Sequence, residues 1–424
     1  MHTLDIIAVF ILLSGIFLYI NAFHLRLPSS VGLIVLSLAL SFGLLIYSTI
    51  FPDFKDDVIH LINEADFEQV LFEVVLSFML FAGAINVDFK KLEQSKTPTI
   101  VLSSLGVLIS ILLIGYSLYY TLIWVGAELD ILYCFMFAAL ISPTDPLAVI
   151  TELPNYKVSL NLSEKIKGES LLNNAVSVVL AVLLHHLAVA NAVEPLSAMD
   201  FLSISSLFIL GGTVVGILLG LLGYWALKVI DNDDVEVEVL VTLALAMVAT
   251  QVATLFDVSP VQAIVVMGLL IGNMGRKKDE EGAVGEYVFK FWSLIEAAFN
   301  VMLFVLIGLE MIALEVRLEI FAVGFIAVVL VIVSRWLSIL LPIKLSNMRK
   351  TYDNKDIRLL TWGSLKSGLS VALALSLPEF EGKDVVLTLT YIVVVFSVLY
   401  QGLTISILLK QSYAKIIKPK NEVN

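Results

Sequence analysis

Apolar residues fill long runs of this chain, and short polar segments separate those runs. A run of about 20 mostly apolar residues is long enough to cross the hydrocarbon core of a bilayer as an α-helix. Thirteen runs meet this description, at Leu4–Phe23, Val31–Ile50, Gln69–Val87, Thr97–Val125, Ile131–Ile150, Lys165–Val193, Ser203–Ile230, Val235–Leu255, Val258–Gly275, Tyr287–Met311, Glu319–Ile343, Ile357–Leu377 and Val385–Leu409. The pattern predicts an all-α polytopic membrane protein of about thirteen transmembrane helices, which we number as spans in chain order.

The composition agrees with a bilayer environment, since 59% of the 424 residues are hydrophobic and 15% are charged. The first span has no basic segment before it and no small-residue cleavage site after it, so it is predicted to be a retained helix. Loops of at most about twenty residues leave no room for a separate soluble domain. Residues 1–424 are therefore predicted to form one transmembrane domain, which ends in a short cytoplasmic tail at 411–424.

Charge and motif content exclude several other classes of protein. The formal net charge of −12 argues against a nucleic-acid-binding surface. The lone cysteine, Cys134, excludes an internal disulfide and argues against a thiolate metal site. The His-Glu-x-x-His, Gly-x-Ser-x-Gly and phosphate-binding glycine-rich motifs are absent from the sequence. We therefore predict neither an enzymatic activity nor a resident cofactor or metal.

Basic residues are distributed unequally between the two sides of the predicted membrane. The N-terminus and the even-numbered loops hold three, Lys55, Arg317 and Lys383, whereas the odd-numbered loops, the adjoining span ends and the C-terminal tail hold twenty-one. Lys and Arg accumulate in cytoplasmic loops, so the N-terminus is predicted to lie outside the cell membrane and the C-terminus in the cytoplasm. This topology places the segment Pro52–Glu68 outside and the loop Asn347–Lys355 inside.

Ionisable residues inside the spans are the first candidates for function, because a charge in hydrocarbon is costly and usually faces a partner or a cavity. They are Glu73, Asp145, Glu169, Glu296, Arg335 and Lys366. Two of them lie among helix-breaking residues: the fifth span holds Asp145 in Ile-Ser-Pro-Thr-Asp-Pro-Leu, and the twelfth span holds Lys366 in Trp-Gly-Ser-Leu-Lys-Ser-Gly-Leu-Ser. Proline removes a backbone donor and frees a carbonyl, which a membrane tolerates only against protein or water. Both spans are therefore predicted to be broken near mid-membrane.

The two broken spans occupy corresponding positions in the two halves of the chain. They are the fifth and the twelfth, and an offset of seven spans reverses their direction through the bilayer. Interrupted helices at matching positions of inverted repeats mark the binding site of secondary transporters. A cation channel with a pore of neutral Asn, Ser and Thr groups is a more distant alternative, which would conduct without proton coupling.

The sixth span carries a continuous polar stripe within an apolar run. In the stretch GESLLNNAVSVVL, residues Glu169, Ser170, Asn173, Asn174 and Ser177 recur at helical spacing and share one face. Interhelical hydrogen bonding is the alternative role for the two asparagines. Glu296 and Asn300, at i and i+4 in the tenth span, are predicted either to line the corresponding face of the second half or simply to pack.

Five segments together resemble the cation/proton antiporters of the sodium/proton exchanger superfamily, in its short prokaryotic form. They are SPTDPLAV, GESLLNNAVSVVL, FWSLIEAAFNVMLFVLIGLE, VSRWLSILLPI and WGSLKSGLSVALALSLP. The resemblance implies crossed, unwound fifth and twelfth helices, a homodimer with an elevator-like movement, and exchange of a monovalent cation for protons, with sodium as the favoured cation.

The resemblance also implies roles for individual residues. By position, Thr144 and Asp145 match the Thr-Asp-Pro element whose aspartate and threonine carbonyl face the ion. Glu169 and Ser170 match the start of the sixth-helix motif, in which the glutamate pairs with a buried arginine and the serine reaches toward the cation. Asn173 matches an asparagine that steadies the cluster. Arg335 matches the buried arginine that pairs with the glutamate.

Two positions depart from the family's pattern. Where the family has Asn-Asp, this chain has Asn173-Asn174, and an amide can coordinate a cation but cannot release a proton near neutral pH. Where the family has Arg-Gly, this chain has Lys366-Ser367. Counting Asp145 and Glu169 against Arg335 and Lys366 leaves a neutral site. Two interpretations stay open. In the first, Lys366 pairs with Asp145 or Glu169 and itself titrates, so that a cation displaces a proton from the lysine. In the second, the chain is a transport-impaired or altered member of the same fold.

Overall fold

The computed structural model describes residues 3–50, 71–90, 96–127, 129–158, 160–193, 196–230, 235–276, 285–310, 318–346, 352–366, 368–377, 380 and 382–413. Within this part of the chain the first nine α-helices are α1 Thr3–Ile20, α2 Ser29–Ile50, α3 Ser77–Asn86, α4 Lys96–Val125, α5 Ile131–Leu140, α6 Leu147–Glu152, α7 Leu160–Val193, α8 Ala198–Val229 and α9 Val235–Leu255. Seven more follow: α10 Pro260–Gly275, α11 Glu286–Glu310, α12 Leu318–Leu345, α13 Asn354–Trp362, α14 Gly368–Leu375, α15 Lys383–Phe396 and α16 Gly402–Ser412.

Short irregular helical turns extend four of these helices. A π-helical turn, Asn21–Leu25, continues α1, and another, Leu71–Leu76, leads into α3. A 3-10 turn, Leu153–Asn155, follows α6. The π-helical turn Ser397–Gln401 joins α15 to α16 into one long segment. Two-residue strands complete the described structure, β1 Thr144–Asp145 and β2 Leu365–Lys366.

The all-α prediction is confirmed, and helix occupies each of the thirteen predicted spans within the described residues. Seven helical segments there are long and apolar enough to cross a membrane, at Thr97–Val125, Lys165–Asn191, Ala198–Val229, Val235–Leu255, Glu286–Ile307, Ile320–Leu345 and Lys383–Ser412. The fifth and twelfth spans fall outside this set because each consists of two short helices around a strand. The number of segments that cross the bilayer stays a prediction.

The two broken spans cross each other at their breaks. Strand β1 of the fifth span pairs with β2 of the twelfth in antiparallel fashion, with Thr144 opposite Lys366 and Asp145 opposite Leu365. Antiparallel pairing requires the two spans to run in opposite directions at this point, as corresponding spans of inverted repeats do. The break in each span is thereby stabilised by backbone contact with the other, and Asp145 lies at the crossing.

Polar caps extend several helices beyond the predicted spans. The seventh span was predicted to begin at Ser203, but α8 begins at Ala198, because Ser197 and Asp200 form a capping box. In that box the Ser197 Oγ accepts from the Asp200 N–H at 3.2 Å, and Asp200 accepts from the Ser197 N–H at 3.0 Å. Helix α16 continues to Ser412, and the boundary of the cytoplasmic tail at 411–424 stays a prediction. Residues 414–424 and the segment Pro52–Glu68 lie outside the described residues.

Packing around the crossing fixes which helix faces can meet there. Helix α7 packs on α4 and α5, while α11 packs on α2 and α3. Helix α12 packs on α4 and α15, which places its buried polar face near the breaks. On the other side of the molecule α8 approaches α10 so closely that a Cβ on Gly216 would lie 2.5 Å from the Ala263 carbonyl oxygen. Glycine is required at that contact.

Candidate ion-binding site

The polar face of α7 holds the break of the fifth span in place. The backbone N–H of Thr144 donates to Asn174 Oδ1 at 2.7 Å, and Ser170 Oγ donates to the Thr144 carbonyl oxygen at 2.7 Å. The Thr144 hydroxyl donates in turn to Ser170 Oγ at 3.2 Å. Backbone groups that an unbroken helix would pair internally are thus satisfied by side chains of α7. Asn174 therefore has a positioning role in addition to any contact with an ion.

Asn173 lies deeper and ties the same break to α7. Its Nδ2 donates to the Ser142 carbonyl oxygen at 3.1 Å and to Thr144 Oγ1 at 3.2 Å. Its Oδ1 accepts from Ser177 Oγ at 3.2 Å. Asn173 is 1% exposed. This network explains the polar residue every turn along α7, and it gives Asn173 the steadying position that the resemblance implied.

Glu169 turns away from the break and forms a buried ion pair with Arg335. Arg335 Nη2 donates to Glu169 Oε1 at 2.7 Å, and the two side chains are 6% and 5% exposed. The Arg335 Nε donates to Ser364 Oγ at 2.8 Å, so the guanidinium joins α7 to the break of the twelfth span. The pair links three predicted spans and neutralises both charges.

We expect Glu169→Gln to destabilise the protein strongly, because removal of one partner leaves Arg335 buried without a counter-charge. The free energy of unfolding should fall by about 3–5 kcal/mol. Thermal unfolding of the detergent-purified protein measures the change. Ser364→Ala is the comparison, since that variant loses the two hydrogen bonds of the Ser364 hydroxyl, from Arg335 Nε and to the Leu360 carbonyl oxygen, together worth about 1–3 kcal/mol. An unfolding midpoint for Glu169→Gln equal to that of the parent would show that the pair does not hold the fold.

Lys366 is placed differently from its predicted ion pair. It is 4% exposed and near Arg335 and Glu169, but among the described residues its side chain forms no ion pair with Asp145 or Glu169. The reason is the strand pairing: successive side chains of a strand point to opposite faces, so Lys366, opposite Thr144, points away from the face of Asp145. Glu169 is already engaged with Arg335. A direct Lys366 ion pair is therefore not formed among the described residues, and titration of Lys366 stays a hypothesis.

The side chain of Asp145 meets the second half of the molecule at α11. Asn300 Nδ2 donates to Asp145 Oδ2 at 3.4 Å, and both residues are buried. The same carboxylate lines a cavity of about 610 Å³. Of the residues predicted for the site, the cavity brings together Thr144, Asp145, Ser170, Asn174, Glu296 and Asn300. The others, Glu169, Asn173, Arg335 and Lys366, lie behind this wall and support it.

Three contributing residues were missed by the sequence analysis. Ser364 binds Arg335, and Ser397 Oγ accepts from the backbone N–H of Lys366 at 2.9 Å. Ser397 also donates to the side-chain oxygen of Gln401 in the π-helical turn. Ser397 and Gln401 are polar residues inside an apolar span, so the rule that picks out intramembrane charges would have found them had it included amides and hydroxyls.

Crossed broken helices beside a buried carboxylate and a cavity of about 610 Å³ define an ion-transporting membrane protein of the secondary-transporter class. The sequence matches the family described as "Sodium/hydrogen exchanger, transmembrane" over residues 8–411. The chain belongs to this family and is a multi-pass membrane protein. The resemblance inferred from the motifs is thus confirmed.

Individual relatives agree over nearly the full length. The chain is 38% identical to the Na(+)/H(+) antiporter NhaP of Pseudomonas aeruginosa over 418 residues, covering 97% of each protein. It is 30% identical to the Na(+)/H(+) antiporter NhaH of Halobacillus dabanensis, covering 91% of this chain and 92% of that protein. Its fold is similar to the solved structure of the sodium proton antiporter MjNhaP1 from Methanocaldococcus jannaschii at pH 8, with a TM-score of 0.76, 18% identity and coverage of 96% and 98%.

Proposed function

We propose that this protein is a secondary active transporter that exchanges a monovalent cation, sodium in the first place, for protons across the cell membrane. The observation that carries the proposal is the position of Asp145, which lies at the crossing of the broken spans and lines the cavity. A buried carboxylate reached by water can hold either a proton or a cation, and competition between the two couples their movements. The relatives that match over nearly the whole chain are named Na(+)/H(+) antiporters, which supports this chemistry.

Oxygen atoms around Asp145 provide the surroundings that a dehydrated alkali cation requires. Thr144 contributes its carbonyl and hydroxyl oxygens, and Ser170 and Asn174 present side-chain oxygens to the same wall. Sodium is a hard cation and prefers such oxygen ligands. Several of these oxygens already accept hydrogen bonds within the network, which fixes their positions before the ion arrives.

The cavity is proposed to open toward the cytoplasm. Its wall includes charged residues near the ends of four predicted spans, Asp88, Lys167, Arg276 and Glu286. Each of them adjoins an odd-numbered loop, the group of loops that carries most of the Lys and Arg residues. Because basic loops stay in the cytoplasm, this structure corresponds to an inward-facing state with the N-terminus outside and the C-terminus inside. The homodimer and its elevator-like movement stay predictions.

Cysteine labelling tests the topology. In a Cys134→Ala background, we expect a membrane-impermeant maleimide added to intact cells to modify a cysteine placed at Asp56 but not one placed at Lys355. Inside-out vesicles should give the opposite result. Both positions lie in predicted loops on opposite sides of the membrane. Modification of position 56 only in inside-out vesicles would reverse the assigned orientation and with it the cytoplasmic opening.

Proton flux in reconstituted vesicles tests the exchange itself. Vesicles that carry an imposed pH gradient and contain the protein should release protons when sodium is added outside, and potassium and lithium should be compared at the same concentration. Absence of any cation response would favour a transport-impaired member of the fold, which the amide at Asn174 suggests. Downhill sodium flux without proton movement would identify a channel.

A further inference from the structure

A second acidic side chain faces the cavity that contains Asp145. Helix α11 presents to the cavity wall the residues Glu286, Phe289, Ser293, Glu296 and Asn300, whose spacings of three and four residues place them on one face. The series ends at Asn300, which contacts Asp145. At a rise of about 1.5 Å per residue, Glu296 lies roughly 6 Å from Asn300 along the helix axis, on the side of the cytoplasmic opening. A cation that approaches Asp145 therefore passes Glu296.

Asn300, which contacts Asp145 and lies one helical turn from Glu296, leaves its side-chain oxygen without a hydrogen bond among the described residues. Its Nδ2 points to Asp145, whereas its Oδ1 is buried and has no hydrogen-bond partner among the described residues. Buried polar atoms are nearly always paired, so an unpaired amide oxygen beside a cavity is a position where a ligand would be expected. An alkali cation between Asp145 and Glu296 would satisfy it, because hard cations bind amide and carboxylate oxygens alike.

The charge count changes when Glu296 is included. Glu169 and Arg335 neutralise each other in their own ion pair. The remaining buried charges near the crossing are the acids Asp145 and Glu296 and the base Lys366, which leaves one net negative charge. The charges of Glu296 and Asp145 repel each other, so a single cation or a single proton placed between them lowers the energy of the pair. The other charged groups on the cavity wall are Asp88, Lys167, Arg276 and Glu286.

We infer that Glu296 supplies the carboxylate that Asn174 lacks, and that Glu296 and Asp145 together bind either one cation or one proton. This inference rests on the proposed exchange function and specifies how its proton is carried. In this arrangement the second acid stands on the facing wall, on α11, while Asn174 accepts the hydrogen bond of the Thr144 backbone N–H on the opposite wall. Titration of Lys366 is then not required for coupling.

Proton release on sodium binding tests this role without transport. The purified full-length protein in weakly buffered detergent solution should release protons when sodium chloride is added, measured against choline chloride. Glu296→Gln should reduce that release at least tenfold. The double variant Glu296→Gln/Asn174→Asp should restore it, because the carboxylate returns to the same cavity from the opposite wall. Glu236→Gln, the same change at an exposed acid, should behave as the parent does.

Each result supports or overturns the inference. Sodium-induced proton release by Glu296→Gln at the parent level would overturn it, and would leave the exchange function of Asp145 standing. A folded double variant, judged by gel filtration and unfolding midpoint, that fails to regain proton release would show that Glu296 acts through structure and would also overturn it. Absence of a sodium response in the parent protein would instead contradict the proposed function itself. The inference is supported if Glu296→Gln loses sodium-induced proton release and the double variant Glu296→Gln/Asn174→Asp regains it.

Discussion

Replacement of Asp145 by asparagine should abolish sodium-dependent proton movement, by roughly a hundredfold or more, while the protein stays folded. The amide neither takes up nor releases a proton in the accessible range and carries no charge to offset that of the cation. Two unit charges about 4 Å apart attract by about 4 kcal/mol at an effective dielectric constant of about 20, and each 1.4 kcal/mol is tenfold. Sodium-induced dissipation of a pH gradient in reconstituted vesicles measures the loss.

A matched variant separates this effect from general damage. Asp257→Asn makes the same chemical change at an exposed residue with a left-handed backbone, φ 52°, a conformation that asparagine also adopts readily. It should exchange sodium for protons at the parent rate. Unchanged exchange in Asp145→Asn would remove Asp145 from the ion site and leave its carboxylate with a structural role beside Asn300.

The spans could be predicted from the sequence because their length in apolar residues is set by the thickness of the bilayer. The ends of the helices could not be predicted in this way. Helix α8 begins at Ala198 and α13 at Asn354, each after a capping box, although the apolar runs begin only at Ser203 and Ile357. Hydropathy reports the cost of placing side chains in hydrocarbon, whereas a helix continues for as long as its backbone donors find caps. Hydropathy therefore does not predict where a helix with polar ends begins.

The breaks could also be predicted, since proline and glycine flank Asp145 and Lys366, the charged residues deep within those two spans. What the sequence does not contain is the rotation of each helix about its axis. Glu169 and Ser170 are neighbours, yet one points to Arg335 and the other to Thr144. Adjacent helical residues point about 100° apart. Two residues can therefore belong to the same polar face although one faces the ion site and the other supports it from behind. Only the packing of the helices separates them.

The balance of charges was miscounted for the same reason. Glu296 has the same spacing to Asn300 whether it packs or faces a cavity, so spacing alone does not distinguish the two roles. Lys366 was expected beside a carboxylate because both are buried, but the register of a two-residue strand pair directs it to the other face. To count the net charge of the site, one must know which charged side chains face the same cavity. That depends on the tertiary structure.

Replacement of Asn174 by aspartate should tighten sodium binding about tenfold. The new carboxylate can still accept the Thr144 N–H, since Asn174 uses only its oxygen in that bond, and its Nδ2 has no hydrogen-bond partner among the described residues. The substitution therefore adds one negative charge to the cavity without removing a contact. Two unit charges about 5 Å apart interact by about 3 kcal/mol at an effective dielectric constant of about 20, and partial protonation of the three acids reduces this to about 1.4 kcal/mol, or tenfold.

The apparent KM for sodium, measured in vesicles across a series of sodium concentrations, should fall accordingly. The strengthened site should also release more protons per sodium bound than the parent does. An unchanged KM together with normal folding would show that position 174 does not contact the cation, although it holds the backbone of Thr144.

Lys366→Arg tests whether the lysine carries the proton, in the same vesicle assay of sodium–proton exchange. Arginine does not give up its proton in the accessible range, so a coupling that depends on a titrating lysine would disappear in this variant. Because Lys366 forms no ion pair with a carboxylate in the described structure, and because Asp145 and Glu296 share the cavity, we expect sodium–proton exchange to persist with arginine at 366. Loss of proton coupling with sodium binding intact would assign the proton to Lys366 instead. Asn174→Asp in the Lys366→Arg background should then restore coupling, because the added carboxylate would again leave one acid free to exchange a proton for a cation.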